Sequence, residues 1–258
     1  MRVIIIKRTL IVVIVIVILL VTGLYGAYTE VFNDNEQKVI AIIIDDFGNN
    51  GKGTETFFKI KERLTVAVLP NMPYTVEDAE RAHQNGFEVI VHLPMEPVKG
   101  KKSWLPPDSI TSDLSYNEVL KKTCKAFDQV PYAVGFNNHM GSKITSDKNM
   151  MRIILEEAKR RGYYVVDSKT TKNSVIDEVS EAIGIKHYDR DLFLDAKSEY
   201  GVYKQVIRLA EIAGEKGYAV GIGHVGPEGG TITARGIMDA LPELEKMNIK
   251  IVYVSQLK

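Results

Sequence analysis

The feature that most limits the fold is an alternation that starts at Val39 and continues along the chain. A short, uninterrupted apolar run is followed by an amphipathic stretch of helical spacing, and then by another apolar run. The runs predict strands over Val39–Ile44, Thr65–Leu69, Glu88–Val91, Ala133–Phe136, Tyr163–Val166, Ala219–Ile222 and Ile249–Val254, with a weaker one over Ile185–Tyr188. The stretches between them predict helices over Val76–Gln84, Asn117–Gln129, Asp147–Arg161, Val175–Ile183, Tyr203–Lys216 and Ala234–Met247. Strands without polar alternation are buried on both faces, and helical crossovers make their neighbours parallel. Seven or eight such units fit one closed or nearly closed α/β barrel, with an open doubly wound sheet as the other arrangement. Periodicity does not separate the two.

Polar residues capable of chemistry recur where these runs end. Ile42-Ile43-Ile44 leads into Asp45-Asp46, and Val89-Ile90-Val91 into His92-Leu93-Pro94-Met95-Glu96. Gly135-Phe136 leads into Asn137-Asn138-His139-Met140-Gly141-Ser142, Val165-Val166 into Asp167-Ser168, and Gly221-Ile222-Gly223 into His224. Parallel strands bring such ends to one face, which carries the chemistry in α/β barrels. Of the adjacent aspartates, one can bind a cation while the other takes a proton. His92 and Glu96 stand at a spacing that can reach one metal, and His139 lies in a loop shaped for ligation. His224, among small residues, suits proton donation to a leaving group. Asp167 can orient an imidazole or bind substrate. Arg190 and Asp191 either buttress a metal-site acid or form a plain ion pair. His83 and His187 read as structural or exposed. No phosphate loop, dinucleotide fingerprint or nucleophile elbow is present.

Composition excludes some partners. Lys plus Arg and Asp plus Glu each number 33, giving zero formal charge and no basic face for nucleic acid. Cys124 stands alone, so no internal disulfide forms, and it reads as a small buried hydrophobe. Ahead of the alternating region, Arg2, Lys7 and Arg8 flank a segment that is unbroken and apolar from Leu10 to Leu20 and largely apolar to about Tyr28. We read residues 1–29 as a signal anchor, with a cleaved signal peptide as the alternative. Residues 30–38 form a polar linker, and residues 39–258 form one α/β barrel domain. The positive-inside rule then puts that domain outside the cytoplasm, membrane-anchored or, after cleavage, secreted. The longest irregular stretch, Glu96 to Ser115, follows the His92 motif and is expected to border the substrate.

Taken in order, Asp45-Asp46, His92-x-Pro94-x-Glu96, Asn138-His139-Met140-Gly141-Ser142, Asp167-Ser168, Arg190-Asp191 with Phe193-Leu194-Asp195, and Gly223-His224 resemble the divergent polysaccharide deacetylase family, a remote branch of the NodB-type carbohydrate esterases. The resemblance spans nearly all of residues 39–258. It implies a deformed (β/α) barrel of seven or eight units, of the glycoside hydrolase/deacetylase-like kind, here preceded by one N-terminal hydrophobic helix. It implies a divalent metal, zinc in many relatives, and removal of acetyl groups from a polysaccharide or peptidoglycan-like glycan. Asp45 falls on the general base, Asp46 on a metal ligand and His224 on the general acid. The relatives' H-x-x-x-H ligand pair falls on His92 and Glu96, which leaves the third ligand between Glu96 and His139. Arg190 is the candidate for the relatives' motif arginine. A glycan-binding or envelope-scaffold protein on the same barrel is the competing expectation, and an amidase or phosphodiesterase a third.

Overall fold

The computed structural model describes residues 16–22, 37–100, 105–227 and 229–258. The chain divides into two units, residues 1–37 and Lys38–Lys258. In the first, residues 16–22 are helical, and the Thr22 hydroxyl donates to the Ile18 carbonyl at 2.9 Å. No helix among the described residues is long and apolar enough to cross a membrane. The expected anchor, residues 1–29, lies mostly outside the described residues.

The second unit opens with β1 (Val39–Phe47), α1 (Thr54–Phe57), β2 (Thr65–Val68), α2 (Thr75–Gln84) and β3 (Glu88–Met95). It continues through α3 (Tyr116–Gln129), β4 (Ala133–Met140), α4 (Lys148–Arg160), β5 (Tyr164–Asp167), α5 (Ile176–Ile183), β6 (His187–Asp189) and β7 (Leu192–Phe193). It closes with α6 (Glu199–Lys216), β8 (Tyr218–His224), α7 (Thr231–Lys246) and β9 (Lys250–Val252). Every pairing is parallel, in the order β6-β5-β4-β3-β2-β1-β8-β7, with β9 on the first residues of β1.

The two ends of that order are neighbours in the chain, because only Arg190 and Asp191 separate β6 from β7. The Arg190 N–H donates to the Asp167 carbonyl in β5 at 3.0 Å. The next N–H, that of Asp191, donates to the Val220 carbonyl in β8 at 2.8 Å. One run of seven residues is thus stitched to both edges, and the sheet curls into a barrel. The open doubly wound alternative does not survive this seam.

Side-chain alternation divides each strand between two cores. Ile40, Ile42 and Ile44 pack outward under the helices, whereas Ala41 and Ile43 join Ile90, Val166, Val220 and Ile222 in the interior. Each large aliphatic chain buried this way contributes roughly 1.5–3 kcal/mol. The lower end of the interior is filled by Tyr164 and Tyr188 and covered by residues 254–257. Tyr164 donates to Glu88 at 2.8 Å and Tyr188 to the Leu257 carbonyl at 2.8 Å.

The strands run further than their apolar letters. β1 continues through Asp45-Asp46-Phe47, β3 to Met95 and β4 to Met140, so the polar residues lie on the strands' last turns, satisfied by one another. Helix α6 starts at Glu199, earlier than predicted, because the Ser198 hydroxyl accepts from the Gly201 N–H at 3.1 Å. β7 has only two residues, too few for a period. Gly135 faces the interior, and a Cβ there would lie 2.8 Å from the buried Tyr164 ring. Gly135→Ala is therefore expected to cost about 1–3 kcal/mol by overpacking, read as a lower denaturation midpoint with unchanged m-value.

Candidate active site

The same alternation that builds the interior core selects what sits at its mouth. Counting upward in twos from Ile43, Ile90, Gly135 and Ile222 reaches Asp45, His92, Asn137, then His139, and His224. Asp46 breaks the rule. Its φ is +68°, and the β1–β2 register shifts between Ile44 and Phe47, so a bulge turns this second carboxylate into the site. Aspartate is among the few residues that tolerate this conformation.

Asp46, His92 and His139 converge. The Asp46 Oδ1 lies 3.0 Å from His139 Nδ1 and 3.2 Å from His92 Nε2, and those two nitrogens are 3.1 Å apart. These side chains each offer one ligand atom, all within 4.8 Å of one another. Burial disfavours a charged Asp46, but its hydrogen bonds with His139 and His92 prevail and hold it far below the usual carboxylate range. Burial likewise opposes a charged His92, yet the Asp45 and Asp46 carboxylates overcome it and raise its pKa. The pocket therefore favours positive charge at His92 Nε2.

Asn137 fixes how these groups present themselves. Its Nδ2 donates to Asp45 Oδ1 at 2.8 Å, so its Oδ1 must accept from the Nδ1–H of His92, 2.7 Å away. That leaves Nε2 of the neutral ring as the lone-pair atom facing Asp46 and His139. Asp45 and His92 are both only 2% exposed at the side chain, while Asp46 and His139, at 20% and 17%, lie nearer solvent. Burial pushes the Asp45 pKa up, against the pull of His92 and His224. Its second oxygen, Oδ2, stands 3.6 Å from His92 Nε2 and 4.0 Å from His224 Nε2.

His224 is held from behind by Asp195. The Asp195 Oδ2 meets His224 Nδ1 at 2.5 Å, and Oδ1 accepts from the His224 backbone N–H at 3.2 Å and from the Thr233 hydroxyl at 2.7 Å. Burial works to lower the His224 pKa, but the Asp195 bond and the Asp45 charge prevail and raise it to about 9. Phe193 flanks the imidazole at 5.7 Å between ring centroids, with the Arg190 guanidinium 3.7 Å above the Phe193 ring.

The remaining sequence candidates sit elsewhere. Glu96 accepts from the Ser112 N–H at 2.7 Å and from Lys143 at 2.8 Å, so it ties the long loop after β3 to the turn after β4 and stands outside the Asp46–His92–His139 group. Asp167, the buried last residue of β5, accepts from the Lys169 N–H of the following turn at 2.7 Å. Arg190 donates to the Ser168 carbonyl at 2.8 Å and the Lys169 carbonyl at 3.2 Å, bracing that same turn. Asp191 accepts from the Val220 N–H at 2.9 Å and pairs with Lys216 on the seam. His83 stacks on Tyr132.

A family model of divergent polysaccharide deacetylases matches residues 42–258. The chain belongs to that family. An uncharacterized Escherichia coli K12 protein, YibQ, is 35% identical over 189 residues, 73% of this chain and 59% of its own length. The match thus spans less than two thirds of that relative. An uncharacterized protein of Haemophilus influenzae is 29% identical over 86% of this chain and 77% of its own. Among solved structures, an uncharacterized Agrobacterium tumefaciens C58 protein superposes with a TM-score of 0.78 at 19% identity, over 86% of this chain and 90% of that one. A peptidoglycan N-acetylglucosamine deacetylase, Bc1960, gives 0.52 at 14% identity over 84% and 86%. These likenesses show that the deacetylase-family barrel is shared.

Two site residues of this family member were not assigned roles from sequence. Asn137 was visible only as one of two amides before His139, and strand parity would have separated it from Asn138. Asp195 closes the Phe193-Leu194-Asp195 motif, and nothing local in the sequence links it to His224, because its pairing depends on the seam. In Asp195→Asn the His224 pKa is expected to fall from about 9 toward the ordinary 6.5, followed by histidine NMR titration. The His224–Asp195 attraction stabilises the fold fully below about pH 6.5 and is lost as pH rises through about 9. The stability gap between wild type and variant should close over that window.

Proposed function

We propose that this deacetylase-family protein is a metal-dependent hydrolase that removes acetyl groups from an acetylated polysaccharide or peptidoglycan-like glycan. The observation that carries this reading is the placement of Asp46, His92 and His139 directly beside the Asp45–His224 pair. The donor set fits a divalent ion: two imidazole nitrogens and one carboxylate oxygen, a combination suited to zinc with room for further ligands. Asn137 supports the fit, because it holds His92 in the tautomer whose free nitrogen faces the group, as outer-shell partners of metal-bound histidines do. A cation bound there supplies Lewis acidity, polarising the acetyl carbonyl and making water a better nucleophile at neutral pH.

The chain's own groups handle the protons. Asp45 Oδ1 is occupied by Asn137, so Oδ2 is the atom that takes a proton from the attacking water. His224, protonated at neutral pH, delivers the proton at Nε2 to the departing nitrogen or oxygen, while Asp195 keeps Nδ1 occupied. For an acetamido sugar the carbonyl carbon gains a bond to the water oxygen and loses its bond to nitrogen, giving acetate and a free amine. The Arg2–Arg8 charges ahead of the apolar run to Leu20 support placing the domain outside the cytoplasm, where such polymers lie.

The test is acetate release by the purified protein, supplied with a divalent ion, from acetylated glucosamine oligomers and peptidoglycan glycan strands. Asp45→Asn is expected to lower kcat by about 10²–10⁴ while metal content stays at the wild-type level. Absence of acetate from every such glycan, with metal bound, would refute the hydrolase assignment.

A further inference from the structure

The two amides that precede His139 face opposite ways. Asn137 follows the interior parity and orients His92. Asn138 shares the parity of Phe136, turns away from the interior and is only 1% exposed. Its Oδ1 accepts from the Ser168 N–H at 3.0 Å, so Nδ2 is the atom that donates to the Met140 carbonyl at 2.7 Å. The Ser168 hydroxyl donates to the Asn138 carbonyl at 2.9 Å, and the Thr170 hydroxyl to the same Met140 carbonyl at 2.9 Å. These bonds tie the end of β4 to the turn after β5.

The residue on which two of these donors converge has an uncommon backbone. Met140 stands at φ +53° and Gly141 at φ +84°. Two consecutive left-handed residues therefore follow His139, and only the second is a glycine, which adopts this conformation without a steric cost. A residue with a Cβ keeps such a conformation where its surroundings hold it. At Met140 the Asn138 amide and the Thr170 hydroxyl do so, both through its carbonyl.

His139 depends on that turn in a way that His92 does not. His92 lies inside β3, and its Nδ1 is held by Asn137. Among the described residues, the hydrogen-bond contacts of the His139 ring are those of Nδ1 with Asp46 and His92, and none reaches Nε2. Metal-binding histidines are usually oriented by a partner on the second nitrogen. For His139 the orientation comes instead from the path of the chain that leaves it.

We propose that Asn138 is a positioning residue for the metal group: by holding Met140 left-handed, it turns His139 Nδ1 toward Asp46 Oδ1 and His92 Nε2. The inference rests on the metal reading above and adds a residue that touches none of the three ligand candidates' side chains.

The test is zinc affinity of the full-length protein, measured by competition with a chromophoric chelator well below the thermal midpoint. Asn138→Ala is expected to weaken zinc binding by about 10–100-fold. Thr170→Val, at an exposed position, should weaken it by a smaller factor. Glycine takes the left-handed conformation unaided, so Met140→Gly should make the clamp dispensable. In that background Asn138→Ala should change zinc affinity by less than about threefold. If Asn138→Ala does not fold, Thr170→Val with and without Met140→Gly makes the same comparison.

A merely structural Asn138 would lower the thermal midpoint and leave zinc affinity alone. Wild-type affinity in Asn138→Ala, or the same loss with and without Met140→Gly, overturns the inference and leaves the metal reading intact. Zinc bound by none of the proteins, wild type included, would defeat the metal reading and the inference together.

Discussion

A dry barrel interior tolerates charge only where each charge is answered, and at the mouth of this one the answer runs through a single amide. Asn137 faces Asp45 with its nitrogen and His92 with its oxygen. Reversing it would set oxygen against carboxylate. The orientation is therefore forced by electrostatics, and with it the tautomer of His92, the free nitrogen that faces Asp46 and His139, and the one free oxygen of Asp45. Two carboxylates and two imidazoles become a division of labour, one group suited to a cation and one oxygen left for a proton.

The second half of the site depends on how the barrel closes. The segment from His187 to Phe193 is bonded first to β5 and then to β8, and the chain leaves it through Leu194 into Asp195. The Leu194 N–H still follows the β8 ladder, donating to the Ile222 carbonyl at 2.8 Å, so Asp195 arrives directly behind His224. Closure of the sheet and the raised pKa of His224 thus have one structural cause. Arg190 belongs to the seam as well: it braces the turn after β5 and covers Phe193, which in turn flanks His224.

Much of this was legible in the sequence, for identifiable reasons. Continuous apolar runs between amphipathic helices announced parallel strands, and period-two alternation from Ile43, Ile90 and Ile222 leads to Asp45, His92 and His224. What escaped lay in features with no local signature. The two-residue β7 is defined only by its partners, so the apolar runs left the open sheet beside the barrel, and the resemblance carried the barrel expectation. The positive φ at Asp46 is a property of the bulge, and the link between Asp195 and His224 crosses 29 residues. Glu96 illustrates the converse: its spacing from His92 looked like a ligand pair, but β3 ends at Met95 and the chain turns away to meet Lys143 and Ser112.

The measurement that tests the account most directly is metal content by elemental analysis, on the protein after dialysis against a divalent ion, beside His92→Ala. The account predicts about one ion per chain in the wild type, lost in the variant. It also predicts weaker binding as pH falls, because protons compete with the ion for His92. Equal metal in both proteins, or none in either after reconstitution, would contradict the placement of a cation between Asp46, His92 and His139.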